Sequence, residues 1–427
     1  MVNNLIYLLF FSIFFLEYLN KELNVISRSV TLFPEILSVV TYFFIFARLS
    51  REKTIYIHKK YLYLLFFYSV IVTVGIIFND VDIVSVLVGV RFYFKTIPFF
   101  LLPAIYDFSE KQFKDQILFI LPLLLIQLPF TVFQRFIQYS DIASGDPISG
   151  TVIISSILSI LLISSIAVLI GFFNKKQISL KKFIIILFCL FIPTTINETK
   201  GTLVLLPIAI LLPILTLPVR GFQKFKKFIP MSVIGFIFIF SFIIVYDKVI
   251  NPRPTGSILD FIDLSSGRTS GYLFHEAAGK DSVGRGDSFL LAYQGVSNSF
   301  FTFLFGEGIG SVQDSYLKKI IKSEEDRKEN PATMISISNL IWELGFAGLM
   351  VYILIFGFIF KDTYYLRKDN SIFGYFAFGW TAVVVIIGLS LFYKNILQFN
   401  IIHYLFWFFS GLAVSKSFRM RKIHLNT

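Results

Sequence analysis

Apolar runs of about 20 residues, long enough to cross a hydrocarbon core of roughly 30 Å as a helix, recur along almost the whole chain. They predict twelve spans, at about 4–20, 30–48, 61–78, 83–105, 115–133, 151–173, 183–197, 202–219, 229–246, 337–360, 372–392 and 396–414. One long stretch breaks the pattern. Residues 247–336 carry a Pro-containing entry (Asn251 to Pro254), two Gly-flanked arginines (Arg268, Arg285), a Gly306-Glu307-Gly308-Ile309-Gly310 turn and a charged piece from Asp314 to Glu329. The expected fold is an all-α polytopic integral membrane protein of about twelve transmembrane helices. Helices one to nine (1–246) precede one large, partly helical extracytoplasmic loop (about 247–336), helices ten to twelve (337–414) follow it, and a basic cytoplasmic tail (415–427) closes the chain.

Within the loop, Phe289, Leu290, Tyr293, Val296, Phe300, Phe301 and Leu304 recur at helical spacing. So apolar a stripe needs cover, and it is expected against the membrane surface or the helix bundle. The first span has no basic lead-in and no small-residue cleavage site, so it reads as a retained helix.

Composition agrees: 56% hydrophobic, 15% charged and a mean hydropathy of +0.75 exclude a soluble globular class. The one cysteine, Cys189, lies within an apolar run, and the four histidines (His58, His275, His403, His424) lack ligand spacing. No disulfide, metal or other cofactor is therefore expected. A net charge of +12 could suggest nucleic acid. Its distribution argues against that partner. With a cytoplasmic N-terminus, the inner segments hold 22 Lys and Arg and the short outer connections hold 5. Most of the positive charge is therefore a topology signal, placing both termini in the cytoplasm and residues 247–336 outside.

Ionisable side chains inside spans cost at least about 2.5–3.5 kcal/mol to insert, so their presence is informative. Arg91 and Lys95 stand four apart on one helix face. They suit either a bound anion such as pyrophosphate or pairing with Glu198 or Glu343. Arg135 ends the fifth span. Asn197 to Thr202 forms a polar tip with Glu198 and Lys200 between two spans. Asp80-Val81-Asp82 has a form that holds metal–phosphate in some glycosyltransferases, but two acids in a short hairpin are common. Glu343 lies near enough to the end of span ten to reach water. Asp287, two residues after Arg285, suits either chemistry or a helix start.

These pieces together resemble the O-antigen ligase/polymerase superfamily of bacterial envelope enzymes. Gln134-Arg135 followed by Ser149-Gly150-Thr151 resembles that family's outer loop, and Thr199-Lys200-Gly201 its Thr/Ser-Arg-Gly element. Arg285 with Phe289 four residues on, then Gly306 to Gly310, resembles its arginine, aromatic and Gly-x-Gly pattern. Ser338-Asn339 leading into Glu343-Leu-Gly345-Phe-Ala-Gly348 resembles its His-Asn element and following helix. Two departures stand out: Ser338 occupies the histidine position, and Lys200 replaces an arginine.

The resemblance implies a glycosyltransferase of the bacterial cytoplasmic membrane, with an undecaprenyl-pyrophosphate-linked glycan as donor and membrane lipid around it. A chain-length regulator and a flippase would be its partners. Polymerisation of repeat units is favoured over ligation because the histidine is missing; protein O-oligosaccharyl transfer and a flippase or transporter are the alternatives. Pyrophosphate leaves, so preorganised cations matter most. Arg91, Lys95, Arg135 and Lys200 would bind it, Arg285 and Arg268 would act at the reacting centre, and Glu276, Asp287 or Glu307 would serve as base. The carrier is already activated, so no nucleotide is needed.

Overall fold

The computed structural model describes residues 2–142, 145–216, 284–312 and 335–426, with isolated helical positions between 229 and 244. Every regular element among the described residues is helical, and nine helices among them are long and apolar enough to cross a membrane. The protein is therefore an all-α membrane-embedded chain. Arg268 and Glu276 lie outside the described residues, as do parts of the expected ninth span and most of the long loop.

The helices are α1 (Val2–Lys21), α2 (Phe33–Glu52), α3 (Lys59–Phe78), α4 (Ile83–Phe94), α5 (Ile97–Ile105), α6 (Glu110–Leu125), α7 (Gln127–Phe133), α8 (Ser155–Asn174), α9 (Leu180–Ile196) and α10 (Thr202–Leu215). After the long gap come α11 (Arg285–Val296), α12 (Phe300–Phe305), α13 (Ser336–Leu366), α14 (Ile372–Ser390) and α15 (Asn400–Asn426).

Proline breaks one expected span into two. Residues 83–105 divide at Lys95–Thr96, because Pro98 in the first turn of α5 has no N–H to continue the ladder from α4. The span expected from 151 starts late, at Ser155, for a different reason. Gln134 Oε1 accepts the N–H groups of Ser149 (3.0 Å) and Gly150 (2.7 Å), and Gln127 Oε1 accepts that of Thr151 (2.9 Å). Two buried glutamines thus hold residues 149–151 as a turn, supplying the backbone partners that a helix would have given.

Connections that the charge count puts on the same side meet in space. At one end, Tyr139 donates to Glu22 (2.9 Å), Arg135 reaches Glu198 (3.7 Å), Gly201 N–H points at the Tyr393 hydroxyl (3.4 Å) and Arg285 donates to Tyr393 O (2.8 Å). At the other, the buried Asp362 takes Lys60 (2.9 Å), Arg421 (2.8 Å) and the Tyr61 hydroxyl (2.7 Å), while Asp107 takes Lys416 (2.7 Å) and Arg419 (3.4 Å).

The Gly306–Gly310 segment is not an exposed turn. It is wedged among α3, α4 and α13. Asn79 Nδ2 donates to Gly306 O (2.8 Å), a Cβ on Gly89 would stand 2.7 Å from Ile309 C, and Ile309 is fully buried. Opposite it, α13 is broken at Gly345, with φ 64° and ψ -171°. Only glycine adopts that backbone conformation readily. The break frees Trp342 O, which accepts the Glu307 N–H at 2.7 Å, and Leu304 O occupies the place a Gly345 side chain would need. Glu343, expected near water, is instead fully buried, with one oxygen accepting the Val312 N–H at 3.2 Å.

The loop stripe splits at Ser299, which caps α12 through Thr302. Ser288, Ala292 and Val296 face inward from α11, and Gly295 rests on the Trp342 ring. Phe301 stacks on Phe78 at 4.8 Å, and Phe300 stays 72% exposed, continuing the outward apolar face of α3.

The break at Gly345 has a measurable counterpart. Gly345→Ala combines roughly 1–3 kcal/mol of backbone strain with a clash against Leu304 O, so a large loss of thermal midpoint in detergent is expected. Gly357→Ala, where a Cβ meets nothing within 4 Å, should be neutral or slightly stabilising. Equal midpoints for the two variants would contradict this account of the wedge.

Candidate functional site

The Tyr393 end of the bundle assembles charges from four separate stretches. Arg135 lies in a single wide turn, Gln134–Gln138, that follows α7, and Gln134 is fully buried by its bonds to the 149–151 turn. That anchoring sets where Arg135 emerges. Its guanidinium reaches Glu198 at 3.7 Å and the Ile142 carbonyl at 3.4 Å.

Residues 197–201 form a tight turn between α9 and α10. Asn197 holds it down, donating to Ser155 O at 2.9 Å and accepting the Thr199 N–H at 3.3 Å. Glu198 takes a left-handed conformation, φ 56°. Such a backbone costs a non-glycine residue energy. Its side chain is only 13% exposed. Burial raises its pKa above the usual carboxylate value, and the nearby Asp146 adds to this; the Gly145 N–H, Arg135 and Lys200 pull the other way.

Tyr393 is the hub. Its hydroxyl faces the Gly201 N–H, its ring fills the space a Gly201 side chain would take (3.0 Å), its carbonyl accepts from Arg285 Nε, and its ring lies 4.9 Å below the Arg285 guanidinium. Arg285 is the first residue of α11, so the wedge and the Gly295–Trp342 contact determine where it arrives. Next to Tyr393, Lys394 has its pKa lowered, first by burial and then by Arg285, with Asp146 opposing. Lys394 and Arg285 are thus like charges held close together, partly offset by Asp146.

The start of α13 forms a polar wall beside these groups. Ser336 Oγ donates to Lys394 O (3.2 Å) and accepts the Leu397 N–H (3.3 Å). Just beyond it, the Ser338 hydroxyl and both amide atoms of Asn339 are fully buried with no hydrogen-bond partner among the described residues. Leaving each such group unpaired costs about 1–3 kcal/mol.

Of the residues singled out in the sequence, Arg135, Glu198, Lys200 and Arg285 come together. Arg91 and Lys95 pair neither with Glu198 nor with Glu343. Both reach Glu35 of α2, at 3.0 and 3.7 Å, and Lys95 also donates to Asn400 at 2.5 Å. Asp287 sits in the first turn of α11, and Gly284 is the cap. Asp82 caps α4 through Ser85 (2.9 Å), so that half of the acidic pair serves a helix start. Tyr393 and Lys394 escaped the sequence reading. Their signal was slight: Lys394 is the one basic residue in the short connection 393–395.

The unfolded chain keeps the Lys394 proton to higher pH than the folded protein does. Stability should therefore rise with pH in the window just below the usual lysine value. Lys394→Met should raise the thermal midpoint by a few degrees near neutral pH and flatten that rise. A lowered midpoint would mean that Lys394 stabilises the bundle instead.

Compared with known proteins, the chain matches no protein-family model and no curated sequence.

Proposed function

We propose that this chain transfers a glycan from an undecaprenyl-pyrophosphate carrier to an acceptor hydroxyl, at the outer face of a bacterial cytoplasmic membrane. In its most specific form the reaction polymerises carrier-linked repeat units. The observation that supports this is a pair of adjoining cation clusters, Arg135 and Lys200 about Glu198 and Arg285 and Lys394 at Tyr393, joined through the Gly201–Tyr393 contact at the end of the bundle where the charge count places the outer connections.

Breaking the bond between the sugar and the pyrophosphate leaves an electron pair on a phosphate oxygen. Fixed cations that need no reorganisation stabilise that charge most effectively. The two arginines offer planar forks to phosphate oxygens, and the two lysines act as point charges. The unpartnered Ser338 and Asn339 side chains are suited to sugar hydroxyls, since a site built to hydrogen-bond a substrate leaves such groups unpaired without it. Arg91 and Lys95 remain with Glu35 in this scheme.

Complementation of a deletion strain tests the reading. Arg285→Ala should insert into the membrane at wild-type levels and give no surface-polysaccharide ladder, while single repeats still reach the acceptor. Chains of wild-type length from that variant would remove Arg285 from the mechanism and the transfer reading with it. Carrier-linked polymer accumulating in the deletion strain would indicate ligation instead.

A further inference from the structure

We infer that Glu198 is the general base that takes the proton from the acceptor hydroxyl, an assignment that rests on the transfer reading above and supplies its missing group. Three geometric observations carry it. Glu198 Oε1 is buried and accepts no hydrogen bond among the described residues, with Arg135 Nη2 3.7 Å away. The Gly145 N–H steadies the carboxylate. The left-handed backbone at φ 56° directs the residue from a turn pinned by Asn197 at both Ser155 O and Thr199 N.

Three other described acids have hydrogen-bond partners of their own. Glu22 accepts the Tyr139 hydroxyl, Asp82 caps α4, and Glu343 is buried against the Val312 N–H. Glu307 is fixed through its backbone to Trp342, on the wedge. Among the described residues, the charged groups facing Glu198 are Arg135 after α7, Asp146 in the loop that follows, and Lys200 in its own turn; Arg285 and Lys394 lie further off, Lys394 near Asp146. Burial, opposed by the Gly145 N–H and the two cations, raises the carboxyl pKa above its usual value, the direction that makes a carboxylate a stronger base.

The step balances. The acceptor oxygen forms a bond to the anomeric carbon as the bond from that carbon to the carrier's phosphate oxygen breaks. The leaving electron pair stays on the pyrophosphate beside the cations. The proton moves to Glu198 and then to water, so the transfer calls for no oxidant or reductant.

The test uses full-length protein in detergent and carrier-linked glycan extracted from the deletion strain, with turnover followed across pH. Glu198→Gln keeps the shape and should lower turnover about 10²–10⁴-fold and abolish the acidic limb of the pH profile, with the thermal midpoint held or raised. Glu198→Asp should restore part of the rate, with the acidic limb displaced. Glu198→Gln with turnover close to wild type and an unchanged acidic limb, alongside an inactive Arg285→Ala, overturns the base assignment alone. Full turnover in Arg285→Ala overturns the transfer reading beneath it. If Glu198→Gln does not fold, an unshifted acidic limb in Glu198→Asp also overturns the assignment.

Discussion

The structure depends on one constraint: a broken helix inside an apolar surround must have its backbone groups satisfied by other protein groups, because lipid satisfies none and each orphan costs several kcal/mol. The chain breaks α13 at Gly345 and meets the demand with the Gly306–Gly310 segment, which returns Glu307 N–H to Trp342 O and takes Asn79 on Gly306 O. The break and the wedge are built against each other: Leu304 O and Gly306 pack on Gly345, and Glu307 N–H bonds Trp342 O. With both in place, α3, α4, α11, α12 and α13 are tied together. Glu343 is buried as a consequence, and Arg285 is carried to Tyr393.

The two ends of the bundle use charge in opposite ways. Around Asp362 and Asp107, cations from α3 and α15 close on carboxylates. Asp362 is fully buried, so truncating it would leave Lys60 and Arg421 without their shared carboxylate. Around Tyr393, among the described residues, Arg135, Lys200, Arg285 and Lys394 stand near Glu198 and Asp146, and Lys394 is crowded by Arg285. An arrangement that stores repulsion at one end while neutralising it at the other fits an anionic ligand received at the first. The ion pair between Arg135 and Glu198 helps to position the arginine and leaves Glu198 Oε1 without a hydrogen bond among the described residues.

What the chain reveals unaided follows from the length of its local signals. Apolar runs of about 20 residues and the side bias of Lys and Arg are local and strong. Membrane embedding and the pairing of connections into two ends were therefore legible. Arg135, Lys200 and Arg285 were legible as candidates because a charge or a Gly-flanked arginine stands out against apolar neighbours. Partners were not. Arg91 and Lys95 gave no hint of Glu35, which lies 56 residues before Arg91 and meets it only through the packing of α2.

By itself, then, the sequence determined the helical membrane class, the order of its apolar helices and the grouping of connections by side, since each depends on composition within a window shorter than one helix. Tertiary structure alone decided that Gly306–Gly310 is a buried wedge, that α13 breaks, that two glutamines delay α8, and that Tyr393 joins Gly201 to Arg285. The reason is physical. Those features satisfy backbone and charged groups across long stretches of chain, and such groups find their partners only when the helices pack. Asn79 and Gly306, 227 residues apart, share one hydrogen bond that neither neighbourhood announces.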